Sequence, residues 1–145
     1  MSNVFLGGSC NPTTWRKDVA MPALDAAGVP YFNPQVADWN PKLVEIEACA
    51  KEEADILLFV IDGQTRAIAS MLEAVEYIGD GRDVILVIND ISDGTEIVGQ
   101  TVTGRELGDL NRARAYLADI AERHAVSVFS TVQDAVEEII TRYVD

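Results

Sequence analysis

Five short apolar runs recur along the chain, and segments of helical period lie between them. The runs are rich in Val, Ile, Leu and Phe, and they cover Val4–Leu6, Pro30–Phe32, Ile56–Ile61, Val84–Ile88 and Val126–Phe129. Apolar residues at three- and four-residue spacing predict helices over Thr14–Ala27, Lys42–Glu53, Ala67–Ile78, Gly104–His124 and Val132–Tyr143. The alternation indicates βαβ units and therefore an α/β fold with parallel strands.

Two of the runs, Ile56–Ile61 and Val84–Ile88, are apolar at every position, which is typical of central strands covered by helices on both faces. Right-handed crossovers and short connections then favour a flavodoxin-like three-layer sandwich. Its doubly wound sheet would hold five parallel strands in the order 2-1-3-4-5. A length of 145 residues fits one domain covering 1–145. The segment Ile91–Thr103 is long, polar and glycine-containing, so it is predicted to be a loop, either a lid or loosely packed surface.

The strand ends are the first place to look for a ligand site, because ligands bind at the carboxyl edge of such sheets. Gly7-Gly8-Ser9-Cys10 follows the first strand directly. Its glycines would either let the backbone approach a ligand or simply form a tight turn. Further candidates at or near strand ends are Asn33, Asp62, Arg66 and Asn89.

The helix after the third strand carries a candidate carboxylate, Glu73. By helical spacing, the stripe predicted to face the sheet consists of Ile68, Met71, Leu72, Val75 and Ile78. Glu73 falls on a second stripe with Ser70 and Tyr77. That stripe is either a plain solvated face or a site in which the hydroxyl and the phenol orient the carboxylate.

Trp39, Arg16 and the acids of the second helix each allow two interpretations. Trp39 lies in the polar loop VADWNP, where it would stack on a planar ligand or pack against the first helix. Arg16 could bind a carboxylate or phosphate, although an ordinary surface arginine is the favoured interpretation. The acids of the second helix are typical of a solvated surface. They are Glu45, Glu47, Glu52 and Glu53.

The composition and net charge of the chain limit which classes of partner it can bind. The chain has 24 acidic and 11 basic residues, a formal charge of −13, and no basic stripe, so we expect no nucleic-acid partner, while a small anion still fits a pocket. Cys10, Cys49 and His124 do not form a zinc or disulfide pattern, and neither a metal nor an organic cofactor is implied. Without a signal-peptide or membrane-span pattern, we expect a soluble, cytoplasmic protein with no membrane partner.

Four segments taken together resemble the nucleoside 2-deoxyribosyltransferase-like family, and they are VFLGGS, YFNPQVADWN, EACAKEEADILLFVID and SMLEAVEYIG. The resemblance runs from Val4 to about Gly79 and continues less distinctly through VILVIND and DLNRARAYL. It implies a flavodoxin-like fold and a small-molecule nucleoside or nucleotide as substrate. It also implies cleavage of the N-glycosidic bond, with the sugar passed to another base or to water.

The same resemblance implies residue roles. Glu73 matches the family nucleophile, which forms a covalent glycosyl intermediate, and Glu47 matches a second acid. Glu47 or Asp38 would protonate the departing base, while Trp39 and the Gly7–Cys10 turn would hold base and sugar. Family enzymes assemble as dimers or larger, so we expect a homo-oligomer.

One position departs from the family pattern. Characterised transferases carry an acid six residues before the nucleophile, where this chain has Ala67, with Asp62 and Arg66 nearby. Either another group substitutes or the exchange reaction is lost, and Arg66 near the helix start could read a substrate phosphate. The rival hypotheses are a non-catalytic nucleotide-binding module of the same fold and an interaction domain whose acidic surface meets a basic partner.

Overall fold

Strands and helices alternate along residues 3–144, the part of the chain that the computed structural model describes. The strands are β1 (Val4–Gly8), β2 (Tyr31–Phe32), β3 (Ile56–Ile61), β4 (Val84–Ile88), β5 (Thr95–Ile97), β6 (Gln100–Val102) and β7 (Ser127–Phe129). The helices are α1 (Met21–Ala27), preceded by a π-helical turn over Arg16–Ala20, α2 (Leu43–Glu53), α3 (Ile68–Gly79), α4 (Gly104–Arg123) and α5 (Val132–Val144). None of the described helices is long and apolar enough to cross a membrane.

Five strands form one parallel sheet in the order β2-β1-β3-β4-β7. Because β5 and β6 lie outside this sheet, β7 is its fifth strand, and the predicted order 2-1-3-4-5 is confirmed. Leu6 of β1 lies opposite Leu58 of β3, and Leu58 lies opposite Ile85 of β4. All six residues of β3 are buried, as expected for a central strand covered on both faces. The flavodoxin-like α/β fold is therefore confirmed.

The core lies in two layers because successive side chains of a strand point to opposite faces of the sheet. On one face, Leu6 and Leu58 pack with Leu24 of α1 and Ile139 of α5. On the other face, the buried side chains of β1, β3 and β4 pack against α3 and α4, with Ala50 of α2 at the margin. This second face carries the helices that approach the β1 end, and the candidate site lies there.

The predicted loop over Ile91–Thr103 is wrong, because β5 and β6 form an antiparallel hairpin within it. Its two-residue turn is Val98-Gly99, and both residues have positive φ, 52° and 74°, as a type I′ hairpin turn requires. Ile97 and Val102 of the hairpin pack with Ile91 and Leu110. Strands of three residues are too short to show alternation in the sequence, so the periodicity did not reveal them.

The predicted sheet-facing stripe of α3 is wrong in part. Met71 and Ile78 are buried as expected, but Ile68, Leu72 and Val75 are 55%, 68% and 37% exposed. Ala74 completes the buried stripe instead. The helix is apolar over more than one face, so spacing alone could not tell which edge meets the sheet, and the other edge borders a depression beside α4.

Candidate functional site

A cleft of about 140 Å³ lies at the carboxyl end of β1, between α2 and α3. Charged side chains of both signs converge there. Its lining consists of Phe5, Gly7, Gly8, Cys10, Arg16, Pro34, Glu47, Lys51, Phe59, Ser70 and Glu73. A larger depression of about 260 Å³ between α3 and α4 has an almost entirely apolar lining, in which Tyr116 supplies the one polar side-chain group. Acidic and basic side chains meet in the cleft at the β1 end, so this cleft is the candidate site.

The two glycines at the floor of the cleft, Gly7 and Gly8, are required by close packing between strands. Gly8 has a φ of 105°, and a Cβ atom added there would lie 2.2 Å from the Val60 carbonyl oxygen of β3. A Cβ atom on Gly7 would lie 2.8 Å from the Phe59 ring. Close contact between β1 and β3 thus accounts for both glycines without a ligand. Their backbone still forms part of the cleft lining.

Ser9 joins the ends of β1 and β3. It is buried, and its hydroxyl lies 2.6 Å from the Thr65 hydroxyl and accepts a hydrogen bond from the Asp62 backbone N–H at 2.9 Å. The Ser9 carbonyl accepts bonds from the Thr13 hydroxyl and the Trp15 indole, each at 3.0 Å. These contacts give Ser9 a structural task, whereas Cys10, the next residue, lines the cleft.

The interpretation of Arg16 as an ordinary surface arginine is wrong, because the residue is only 1% exposed. Its guanidinium donates to the carbonyl oxygens of Leu6, Ser9 and Gly8 at 2.8, 2.7 and 3.2 Å, which fixes the turn after β1. Burial lowers the pKa of Arg16, while the nearby Cys10 and Glu47 act in the opposite direction. Arg16 is thus a buried cation at the wall of the cleft.

Glu73 forms an ion pair that the sequence did not predict. The Lys51 ammonium of α2 lies 2.5 Å from Oε2 of Glu73, and these side chains are 19% and 40% exposed. Lys51 follows Glu47 by four residues, so one face of α2 brings an acid and a base to the cleft. That spacing was visible in the sequence, but nothing there distinguished Lys51 from a surface lysine. Ser70, one turn before Glu73, also lines the cleft.

Three predicted residues beyond the cleft lining have partners of their own. Tyr77 stacks on Phe59 with ring centroids 6.1 Å apart, so its ring belongs to the core margin. The Asn89 side chain donates to the Ser130 carbonyl at 2.8 Å. Arg66 pairs with Glu106 of α4 at 3.1 Å, facing the start of that helix.

The remaining predicted residues lie in loops outside the cleft lining. The Asp62 carboxylate accepts the Gln64 backbone N–H at 2.8 Å, and the Asn33 side chain accepts the Gln35 backbone N–H at 3.0 Å. Asp38 is exposed, and Trp39 is 61% exposed. Trp39 is therefore not packed into the core, and its ring surface is open to contact.

The comparisons with known proteins bear on the family and the fold. A family model described as nucleoside 2-deoxyribosyltransferase like matches residues 1–91, a region that contains every residue of the cleft lining. No curated protein matches. Among solved structures, a crystal structure of a conserved protein from Enterococcus faecalis V583 is similar, with 17% identity, a TM-score of 0.57 and coverage of 98% of this chain and 99% of that one. That likeness supports the fold, and the family match over more than half of the sequence shows that the chain belongs to the nucleoside 2-deoxyribosyltransferase-like family.

Proposed function

We propose that this protein cleaves or transfers at the N-glycosidic bond of a nucleoside or nucleoside monophosphate, with Glu73 as the nucleophile. The observation that carries the proposal is the convergence of Glu73 and Glu47 on one cleft at the carboxyl edge of the sheet. The family match, which covers this region, supports a nucleoside as the substrate class. The roles of Glu73, Glu47 and Asp38 come from the resemblance and stay predictions.

The proposed reaction has two steps. In the first, a Glu73 oxygen attacks the anomeric carbon, and the C–N bond breaks with its electron pair moving to the base. Glu47 or Asp38 gives the departing base a proton. In the second, water or another base attacks the anomeric carbon, the ester bond breaks, and its electron pair returns to Glu73. The proton released from the incoming nucleophile returns to the acid–base residue.

The size of the cleft suggests which part of the substrate it holds. Its volume of about 140 Å³ is smaller than the roughly 300–1,000 Å³ of typical small-molecule pockets, so a whole nucleoside would exceed it. We propose that the sugar enters the cleft beside Glu73 and that the base extends towards the loop that carries Asp38 and Trp39. The exposed Trp39 ring would then stack on the base, as the family resemblance implies.

Intact-protein mass spectrometry tests the proposal. The parent, Glu73→Ala and Glu76→Ala are each incubated with a pool of nucleosides and nucleoside monophosphates, and released bases are measured by chromatography. Glu76 is an exposed glutamate on the same helix, so it controls for the loss of one carboxylate from α3. A sugar-sized adduct or a released base with the parent and with Glu76→Ala, but not with Glu73→Ala, would support the proposal.

A non-catalytic nucleotide-binding module is the second candidate, and two observations favour it. Glu73 is already paired with Lys51, and the position of the usual acid is occupied by Ala67. This candidate predicts that nucleotides raise the melting temperature of both the parent and Glu73→Ala, while neither releases a base. An interaction domain without a nucleoside site predicts no thermal shift with any member of the pool.

We also propose that the protein forms a homo-oligomer through the depression between α3 and α4. Leu72 and Tyr116 on its borders are 68% and 65% exposed, and its lining contains no charged residue. With a net charge of −13, two copies repel each other, and an uncharged apolar face is where they can approach at the lowest electrostatic cost.

Light scattering after size-exclusion chromatography tests this assembly. Leu72→Glu would place a charge in the apolar face and reduce the measured mass to that of one chain. Val98→Glu is the matched control, because Val98 is 92% exposed at the hairpin turn and does not line the depression, so its variant should keep the parent mass. A parent that is already monomeric at high concentration would contradict the proposed assembly.

A further inference from the structure

Lys51 holds one of the two carboxylate oxygens of Glu73. Its ammonium contacts Oε2, and among the described residues none donates a hydrogen bond to Oε1. The same ammonium lies 5.7 Å from the centroid of the Phe5 ring at the cleft floor, within range of a cation–π contact. Oε1 is therefore the oxygen of Glu73 that no hydrogen bond from the described residues holds.

The position of Lys51 is fixed by the fold. Arg82, which follows α3, donates to the backbone carbonyls of Lys51 and Ala54 at 2.7 and 2.8 Å. Its guanidinium also lies over the ring of Tyr77, 5.5 Å from the centroid. The last turn of α2 is thereby tied to the end of α3, so Lys51 and Glu73 are held by two connected helices.

We propose that Lys51 is a positioning residue that speeds the second chemical step by stabilising Glu73 as a departing carboxylate. This inference rests on the proposed function. In the first step, Oε1 of Glu73 forms a bond to the anomeric carbon, the C–N bond breaks with its electron pair moving to the protonated base, and the carboxylate becomes a neutral ester. The charge that Lys51 faces is lost in this step, so the ion pair opposes formation of the ester.

The second step reverses that charge change. Water or a second base forms a bond to the anomeric carbon, the bond from that carbon to Oε1 breaks, and its electron pair restores the carboxylate. The attacking nucleophile passes its proton to the acid–base residue, for which Glu47 is the candidate. Because the negative charge returns beside the Lys51 ammonium, the ion pair favours the release of the sugar.

The test measures how much glycosyl-enzyme accumulates. The parent, Lys51→Met, Lys51→Arg and Lys17→Met are mixed with the nucleoside and nucleotide pool, and adduct and released base are followed over time. Lys51→Met should hold about fivefold more adduct at steady state and turn over correspondingly more slowly, the order expected for a partly exposed ion pair. Lys51→Arg should restore turnover, and Lys17→Met, which alters an exposed lysine, should match the parent.

Three outcomes would overturn the inference. If Lys51→Met melts like the parent but shows the parent's adduct level and turnover, Lys51 has no role in the second step, and the proposed function stands. If Lys51→Met and Lys51→Arg lose adduct formation equally while remaining folded, Lys51 acts in the first step or in binding. If the parent itself forms no adduct and releases no base, the proposed function fails and this inference fails with it.

Discussion

A buried arginine donates hydrogen bonds to several backbone carbonyls at the end of β1, and a second buried arginine does the same at the end of β3. Only the arginine at the β1 end lines the cleft. Arg16 and Arg114 are each 1% exposed. The hydrogen bonds that the Arg114 guanidinium donates all go to backbone carbonyl oxygens, at distances of 2.8 to 3.4 Å. Those oxygens belong to Asn89, Arg66, Leu110, Asp62 and Thr65. Arg16 bonds three carbonyls and also faces Cys10 and Glu47 at the cleft.

A position at a strand end is therefore not enough to place charged side chains at a cavity. Burial lowers the pKa of both arginines, and nearby acids oppose that shift in each case. At the β3 end, however, the polar groups of the loop bond to one another, and neither Asp62 nor Arg66 reaches the cleft lining. At the β1 end, charged side chains of both signs line a cavity, and for this reason the proposed ligand site lies there.

The largest expected effect is on folding, at the β1 end. Gly8→Ala would combine a strained φ of 105° with a Cβ atom 2.2 Å from the Val60 oxygen, so it should destabilise the protein by about 3 kcal/mol or more. Gly28→Ala is the control, because Gly28 also has a positive φ but open space around it, and it should cost about 1 kcal/mol. Urea unfolding measures both, and equal losses would show that the contact with β3 is not the cause.

Substitutions of Arg114 and Arg16 should differ in their effects, because both should lower stability but only the Arg16 variant should lower activity. Arg114→Met removes the guanidinium donor from five carbonyls and should cost about 3 kcal/mol, while the activity of the remaining folded protein is unchanged. Arg16→Met should cost less, about 2 kcal/mol, but should reduce activity, because it removes a cleft cation and frees the turn after β1. Chemical unfolding and base release measured on the same samples provide the comparison. Equal activity losses in the two variants would contradict the expectation that only the arginine at the β1 end contributes to activity.

The smallest expected effect is at the rim of the β3 end. Arg66→Ala breaks a partly exposed pair with Glu106 and should change stability by about 0.5 kcal/mol. If Arg66 reads a substrate phosphate, Arg66→Ala will lose its preference for nucleoside monophosphates over nucleosides, whereas Glu106→Ala will keep it. Release rates for a matched nucleoside and nucleotide measure this preference. An unchanged preference in Arg66→Ala would remove Arg66 from the site.

The sequence was most informative where burial is continuous and least informative where a residue's role depends on distant partners. The bounds of β3 and β4 were predicted as observed, because their apolar runs are uninterrupted. The convergence of Glu47 and Glu73 was anticipated only through the family resemblance. Arg16 was wrongly interpreted as a surface residue and Lys51 was not singled out, because their partners are backbone carbonyls at the β1 end and a carboxylate 22 residues away. No local pattern marks such contacts.

The mass of the intact protein after incubation with nucleosides and nucleoside monophosphates decides whether Glu73 acts as the nucleophile. We expect a sugar-sized mass increase that maps to the peptide containing Glu73 and is lost in Glu73→Ala. Fragmentation of that peptide would place the added mass on the Glu73 side chain. An adduct that persists in Glu73→Ala, or a parent that gains no mass and releases no base, would contradict this expectation.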